Sequence, residues 1–128
     1  MRVSRRGDAS RIETAIRALR ATHPRVTMQI SGSVKRPPME RGAGVVALFE
    51  MARAVAAENG WALGEGSTGG ASDGNFTAAI GVPTLDGLGA LGDGAHALHE
   101  HVLVDALAPR AALLAGLLAR MGQNALAR

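Results

Sequence analysis

Apolar residues recur every three or four positions in several segments of the chain, which is the spacing of a helix with one buried face. The spacing predicts helices over residues 9–21, 45–59 and 107–121, and a shorter helix over residues 73–79. Residues 26–30 instead alternate apolar and polar side chains, which is typical of a half-buried strand. Helices and strands therefore alternate along the chain, and the pattern predicts an α/β arrangement in layers.

Shorter features complete this picture. Further short strands are predicted at residues 1–4, 61–63, 82–85 and 100–104. Either Asp8 or Ser10 is expected to cap the first helix, and the Asn59-Gly60 pair is suited to a left-handed C-cap on the second. Residues 32–43 hold two glycines, two consecutive prolines and four charges, so we expect a loop and a domain boundary there.

Composition narrows the class of protein. The chain has 128 residues, of which 47% are hydrophobic and only 2% aromatic, and it contains no cysteine. Disulfides, thiolate zinc sites and a cysteine nucleophile are therefore excluded. No apolar run is long enough to span a membrane, and the first residues lack the apolar core of a secretory signal. We therefore expect a cytoplasmic globular protein without a membrane partner.

Charge is distributed unevenly along the chain. Residues 1–42 carry ten arginines and lysines against three acids, whereas residues 43–128 carry four against eight. Such asymmetry is compatible with nucleic-acid binding, but the basic segment has no aromatic side chain on which a base could stack. Nucleic acid is therefore the least favoured partner.

The densest group of potential metal ligands lies near residue 96. It comprises Asp93, His96, His99, Glu100 and His101, which include three of the four histidines. Neutral imidazole is a strong zinc ligand, but a zinc ion needs three or four ligands converging on one point. Spacing alone leaves two interpretations open, metal ligation by at least one histidine or an ordinary exposed surface.

Small residues and one arginine suggest a binding site for an anion. The segment from Gly69 to Ser72 lets the backbone approach a ligand. Ser72 and Asp73 are also suited to capping the short helix that follows, and the residues by themselves favour the cap. Arg36 precedes two prolines and carries a guanidinium that can hold a carboxylate through two parallel hydrogen bonds. Two G-x-G-x-x-G matches in the chain lack the long helix that must begin on the loop for dinucleotide binding, because the first is followed by a helix of only about two turns and the second by the histidine group.

Three blocks in this order resemble the C-terminal half of the zinc aminoacylase and carboxypeptidase family, close to the glutamate carboxypeptidase type. They are KRPPMER, STGGASDGNFTAAIGVPTLDGLGALGDGAH and EHVLVDALAPRAALL. Succinyl-diaminopimelate desuccinylases and acetylornithine deacetylases share a similar TGG-x-SD block. The resemblance covers nearly the whole chain.

The resemblance implies an α/β fold in which a lid domain interrupts a two-zinc catalytic domain. Residues 1–34 are similar to the last β-α-β part of a ferredoxin-like lid, through which family members dimerise. Residues 35–42 would form a hinge. Residues 43–128 would form the C-terminal segment of the catalytic domain. Because family members dimerise through the lid, the resemblance implies that the partner is a second copy of the chain, in a homodimer.

The resemblance also assigns roles to individual residues. His96 matches a histidine that ligates one zinc ion, and Arg36 matches the lid arginine that binds the substrate carboxylate. Gly69, Gly70, Ala71 and Ser72 match a loop that lines the substrate pocket. His99 and His101 stand where relatives commonly have other residues, so we do not expect them to bind the metal.

The implied activity is zinc-dependent hydrolysis of an amide bond next to a carboxylate in a small amide or peptide substrate. The family's other zinc ligands and its general base have no counterpart here, so we expect a fragment of such an enzyme that is inactive by itself. Two alternatives remain, a non-catalytic dimerisation or interaction module and, less favoured, a nucleic-acid binder.

Overall fold

Four α-helices, a two-stranded sheet and one 3-10 helix form the regular structure of the chain, whose computed structural model describes residues 2–126. Residues up to 42 and residues 67–84 form a first compact unit, and residues 43–66 and those from 85 onward form a second. In chain order the elements are α1 (Arg6–Ala18), α2 (Ala43–Glu58), α3 (Gly74–Ala79), β1 (Gly92–Asp93), β2 (His101–Val102), η1 (Val104–Ala106) and α4 (Leu107–Leu126).

Helix α1 begins three residues earlier than the sequence predicts and ends at Ala18. Its N-cap residue is Arg5, and no side chain caps this end, so the prediction that Asp8 or Ser10 caps the helix is wrong. Asp8 instead lies in the first turn, where a carboxylate stabilises the helix dipole, and it pairs with Arg11 at 3.1 Å.

Polar contacts join residues 67–84 to the remainder of the first unit. The Asn75 side-chain amide donates a hydrogen bond to the carbonyl of Pro37 at 2.9 Å, and the Arg6 guanidinium donates one to the carbonyl of Ala79 at 3.2 Å. The backbone N–H of Arg6 also donates to Glu40 at 2.9 Å. Helix α3, which directly follows the candidate binding residues 69–72 in the chain, is therefore held against α1 and against the proline segment.

Several predicted strands are absent from the described residues. The segments 26–30, 61–63 and 82–85 form no strand, and neither do residues 2–4, while Met1 lies outside the described residues. The segment 100–104 contributes only the two residues of β2, which pair antiparallel with β1. Strand formation depends on a neighbouring backbone for hydrogen bonding, which sequence alternation alone does not supply. The α/β fold class and the lid assignment therefore stay predictions.

Helices α2 and α4 form the core of the second unit. Both were predicted, although α4 continues to Leu126, and Gly60 has the left-handed φ of 83° that the C-cap prediction required. The fully or almost fully buried side chains at this contact are Ala52, Val55, Ala56, Leu113 and Leu117. Small residues on both helices bring the two backbones close together, so that Gly116 of α4 lies directly against Val55 of α2.

The buried side chain of Arg110 connects α4 to the glycine-rich segment 87–94. The Arg110 side chain is only 6% exposed, and it donates hydrogen bonds to the carbonyls of Gly87 and Gly89, the latter at 2.8 Å. Arg120 forms an ion pair with Glu58 and thereby links α4 to α2 at the surface. Among the described helices, none combines the length and the apolar character that crossing a bilayer would require.

Candidate functional site

A groove of about 620 Å³ lies within the first unit. Its walls come from α1, from residues 30–38 and from residues 69–71, and a cavity of this size accommodates a small molecule. Four of the five predicted substrate-binding residues line it, namely Arg36, Gly69, Gly70 and Ala71. The structure therefore brings together residues that lie more than thirty positions apart in the sequence.

Two neighbours hold the Arg36 side chain in place. Its Nη1 atom lies 3.3 Å from a carboxylate oxygen of Asp73, and its guanidinium carbon lies 5.0 Å from the centre of the Phe76 ring. The ring contact is within the range of a cation–π interaction. Both partners belong to the segment that follows residues 69–72, which we call the glycine loop, so this segment positions the arginine at the wall of the groove.

Ser72 does not line the groove but shapes the loop that does. Its hydroxyl accepts a hydrogen bond from the N–H of Gly74 at 3.1 Å, and its own N–H donates to the Asn75 side chain at 2.9 Å. Asp73 is the N-cap residue of α3, yet its carboxylate makes no capping hydrogen bond. Of the two capping candidates, the serine therefore serves the start of α3, and the aspartate contacts Arg36.

Three further basic side chains line the groove, and sequence reasoning did not single them out. Arg2 lies against the glycine loop: its side chain is only 3.2 Å from the position that a Cβ on Gly69 would take. Lys35 precedes Arg36 in the chain. Arg17 differs from both, since Glu13 pairs with it at 2.7 Å. Proximity to Gly69 is a property of the fold, and no local pattern around Arg2 signals it.

His96 lies in the second unit, at the exposed connection between β1 and β2. Its backbone has a φ of 69°, which is unusual for a residue other than glycine. The N–H of His96 donates to the Glu100 carboxylate at 3.2 Å, and this contact closes the turn. The His99 ring packs beside Gly94, where a Cβ would come within 2.6 Å of it.

The residues described by the structure do not fit a complete zinc site. No group of three histidine, aspartate or glutamate side chains among them could hold a metal ion. In the turn between β1 and β2, the Glu100 carboxylate accepts a hydrogen bond from the backbone N–H of His96. The imidazole of His96 alone supplies too few ligands for a catalytic zinc ion. The dense histidine group is therefore not a metal site by itself.

The comparisons with known proteins identify the family. Residues 9–120 match the model of peptidase family M20/M25/M40, and the chain belongs to this family. Family membership supports a hydrolase function of the metallopeptidase type. No curated protein and no solved structure matches the chain.

Proposed function

We propose that this chain is the C-terminal part of a zinc-dependent carboxypeptidase or amidohydrolase, similar to the glutamate carboxypeptidases, in which Arg36 binds the carboxylate of a small amide or peptide substrate. The observation that carries the proposal is the convergence of Arg36 with Gly69, Gly70 and Ala71 on one groove, in a chain that belongs to peptidase family M20/M25/M40. Residues 1–34 would be the lid remnant and residues 43–128 the catalytic segment, in an α/β fold.

The chemistry of the groove suits a carboxylate. The contact with Asp73 uses one guanidinium nitrogen of Arg36, and the guanidinium carries two more nitrogens for a ligand. Phe76 supports the planar group from one face. Gly69 and Gly70 carry no side chains of their own, and the Arg2 side chain lies against Gly69, so a ligand at this backbone would meet a second guanidinium. An arginine held in this way selects substrates that present a planar anion.

His96 is proposed as one zinc ligand of the complete enzyme, with the other ligands supplied by residues that this chain does not contain. Large apolar side chains exposed in both units favour further protein around the chain, because such surface is normally covered. The most exposed are Ile80 at 79%, Leu98 at 110%, Val104 at 75% and Leu118 at 68%. By itself the chain is therefore expected to bind substrate carboxylate without hydrolysing the amide.

Carboxylate recognition is tested by NMR titration of the chain with N-acetylalanine and with its uncharged carboxamide. The carboxylate is expected to bind more tightly, and Arg36→Gln should weaken its binding about 10- to 100-fold, which is the range for lost hydrogen bonds to a charged group. The matched control is Arg11→Gln, because Arg11 pairs with Asp8 on α1 and does not line the groove. Equal binding of both ligands, or no effect of Arg36→Gln, would overturn the assignment.

The absence of catalysis is tested by incubating the purified chain with zinc and N-acetylalanine. We expect no turnover and no tightly bound stoichiometric zinc. Hydrolysis that a chelator abolishes would contradict the proposal that essential ligands lie elsewhere. In an enzyme reconstituted with the missing part, His96→Ala should lower the zinc content, and unchanged zinc content would refute the role of His96.

A second candidate function is pairing between two copies of the chain through residues 26–30. This segment has no strand partner within the described residues, and Val26 and Met28 are 54% and 46% exposed. Unpaired extended backbone is a template for association. Sedimentation at several concentrations should show a dimer that Met28→Lys weakens and Ile80→Lys does not. A monomer at every concentration would exclude this function.

A further inference from the structure

The Asn75 side chain joins the two segments that carry the residues assigned to the ligand carboxylate. Its amide nitrogen donates a hydrogen bond to the carbonyl of Pro37 at 2.9 Å, and its amide oxygen accepts one from the N–H of Ser72 at 2.9 Å. Pro37 directly follows Arg36, and Ser72 is the last residue of the glycine loop. Both hydrogen bonds are partly buried, and Asn75 itself lines the groove. One side chain therefore connects Arg36 to the glycine loop.

The two hydrogen bonds require an amide at this position. A backbone N–H needs an acceptor and a carbonyl needs a donor, and the asparagine side chain offers both on one carbon. A carboxylate would accept from Ser72 but would oppose the carbonyl of Pro37, and an alkyl group would bond to neither. The bond to Pro37 joins residues 38 positions apart, so it is a tertiary contact and not part of the local start of α3.

The connection from Asn75 to Arg36 is short and stiff. The ring of Pro37 fixes its own φ at about −65°, and a proline also restricts the residue before it to extended conformations. Few free torsions therefore lie between the carbonyl that Asn75 holds and the Cα of Arg36. The position of this carbonyl largely determines where the Arg36 side chain begins.

The ion pair between Arg36 and Asp73 is too exposed to hold the two segments together by itself. The Asp73 side chain is 92% exposed, and ion pairs of this kind contribute little because water screens them. Phe76 is 45% exposed as well. The partly buried bonds of Asn75 are less screened, and they hold residues 73–76 next to Pro37. They therefore keep Asp73 and Phe76 within reach of the guanidinium.

We propose that Asn75 is a positioning residue for carboxylate recognition, which holds Arg36 in place relative to the glycine loop before a ligand arrives. The inference rests on the proposed function, because it takes Arg36 as the group that binds the carboxylate. It adds the residue through which the two segments are preorganised. Preorganisation raises affinity because less conformational freedom is lost when the ligand binds.

Asn75→Leu tests the proposal, because leucine is close to asparagine in size and makes neither hydrogen bond. In an NMR titration the variant should bind N-acetylalanine about two- to tenfold more weakly, which is the range for the loss of one hydrogen bond. Binding of the uncharged carboxamide should not change. The matched control is Thr77→Val, which removes the bond from Thr77 to the carbonyl of Gly74 within α3 and lies outside the groove. The control should bind both ligands as the parent chain does.

A double-mutant cycle separates positioning from a purely structural role. In a chain that already carries Arg36→Gln, the further change Asn75→Leu should weaken N-acetylalanine binding by less than about twofold, because the residue that Asn75 positions is gone. A general loss of structure would weaken binding by the same factor with and without Arg36.

A second measurement needs no ligand. The side-chain Nε–H signal of Arg36, assigned by its loss in Arg36→Gln, should move in Asn75→Leu toward the position of a free arginine. The Nε–H of Arg17 donates to Glu13 at 3.2 Å in the same unit, so its signal should stay in place and shows that the unit is folded.

If Asn75→Leu does not fold, Asn75→Asp takes its place. The carboxylate retains an acceptor for the N–H of Ser72 and lacks only the donor to Pro37. Repulsion by its added charge would weaken anion binding with or without Arg36, so the same cycle distinguishes repulsion from positioning.

The outcomes separate this inference from the proposed function. If Asn75→Leu weakens binding of the acid and the carboxamide alike, costs the same factor with and without Arg36, or leaves the Arg36 signal in place, the positioning role is refuted and carboxylate recognition by Arg36 stands. If Arg36→Gln leaves N-acetylalanine binding unchanged, the proposed function fails, and the positioning role fails with it.

Discussion

The close contact between α2 and α4 predicts the effect of adding a single methyl group at Gly116. An added Cβ at this position would lie 2.5 Å from Cγ1 of Val55, whereas carbon atoms in contact are normally about 3.5 to 4.0 Å apart. Val55 is itself only 2% exposed and is branched at its Cβ, so its side chain has little freedom to move aside. Gly116→Ala therefore forces the two helices apart or moves a buried valine.

Two opposing terms determine the magnitude. Overpacking of a core by one methyl group typically destabilises a protein by about 1 to 3 kcal/mol. Replacing glycine by alanine inside a helix stabilises the helix by about 1 kcal/mol. We therefore expect Gly116→Ala to lower the free energy of unfolding by up to about 2 kcal/mol.

Gly122 provides the matched control, because it lies in the same helix with no atom within 4 Å of an added Cβ. Gly122→Ala should raise the free energy of unfolding by up to about 1 kcal/mol through helix propensity alone. Subtracting the two values removes the propensity term and leaves the steric cost at Val55.

The assay is urea unfolding followed by the fluorescence of Trp61. It is the single tryptophan of the chain and packs against the core of the second unit, so the signal reports on this unit. The double variant Gly116→Ala with Val55→Ala should recover part of the loss, because the shorter side chain removes the clash. If Gly116→Ala stabilises the protein as much as Gly122→Ala does, the close approach of the two helices is wrong.

Further predictions concern the loop before β1 and the turn between β1 and β2, and they use the same fluorescence assay. Arg110→Met should destabilise the second unit by about 1.5 to 3 kcal/mol, since the carbonyls of Gly87 and Gly89 lose the charged donor of a buried side chain. The control Arg120→Met, whose ion pair with Glu58 is more exposed to solvent, should cost at most about 1 kcal/mol. Equal losses of unfolding free energy for Arg110→Met and Arg120→Met would contradict a stabilising role for the buried Arg110 side chain. Gly94→Ala should cost about 1 to 2 kcal/mol more than Gly87→Ala, because both have a φ of 72° but only Gly94 faces His99. A smaller loss for Gly94→Ala would refute this contact.

Local sequence patterns predicted the helices well because helical hydrogen bonds connect residues four apart in the chain. The predicted helices at 45–59 and 107–121 correspond to α2 and α4, with ends displaced by at most five residues. The strand at residues 26–30 was not found, although its alternation of apolar and polar residues is regular. A strand is completed by another segment, and alternation does not identify that segment.

In the candidate site too, features carried by local motifs were predicted, whereas contacts between distant residues were not. Arg36 and the glycine loop were singled out from the motifs that carry them, and the structure places both at one groove. Asp73 was considered a helix cap, a role that depends only on its neighbours in sequence. Its contact with Arg36 joins residues 37 positions apart, which no short motif encodes. Arg2 was missed for the same reason.

By itself, the sequence determined the helical segments, the absence of cysteine chemistry and the motifs that indicate a metallopeptidase family. These are properties of composition and of residues close together in the chain. Only the tertiary structure decided that Arg2, Arg36 and Gly69 share a groove, that Arg17 is neutralised there by Glu13, and that Gly116 lies against Val55. Charge compensation and steric contact act through space at a few ångströms, so they depend on how distant segments pack.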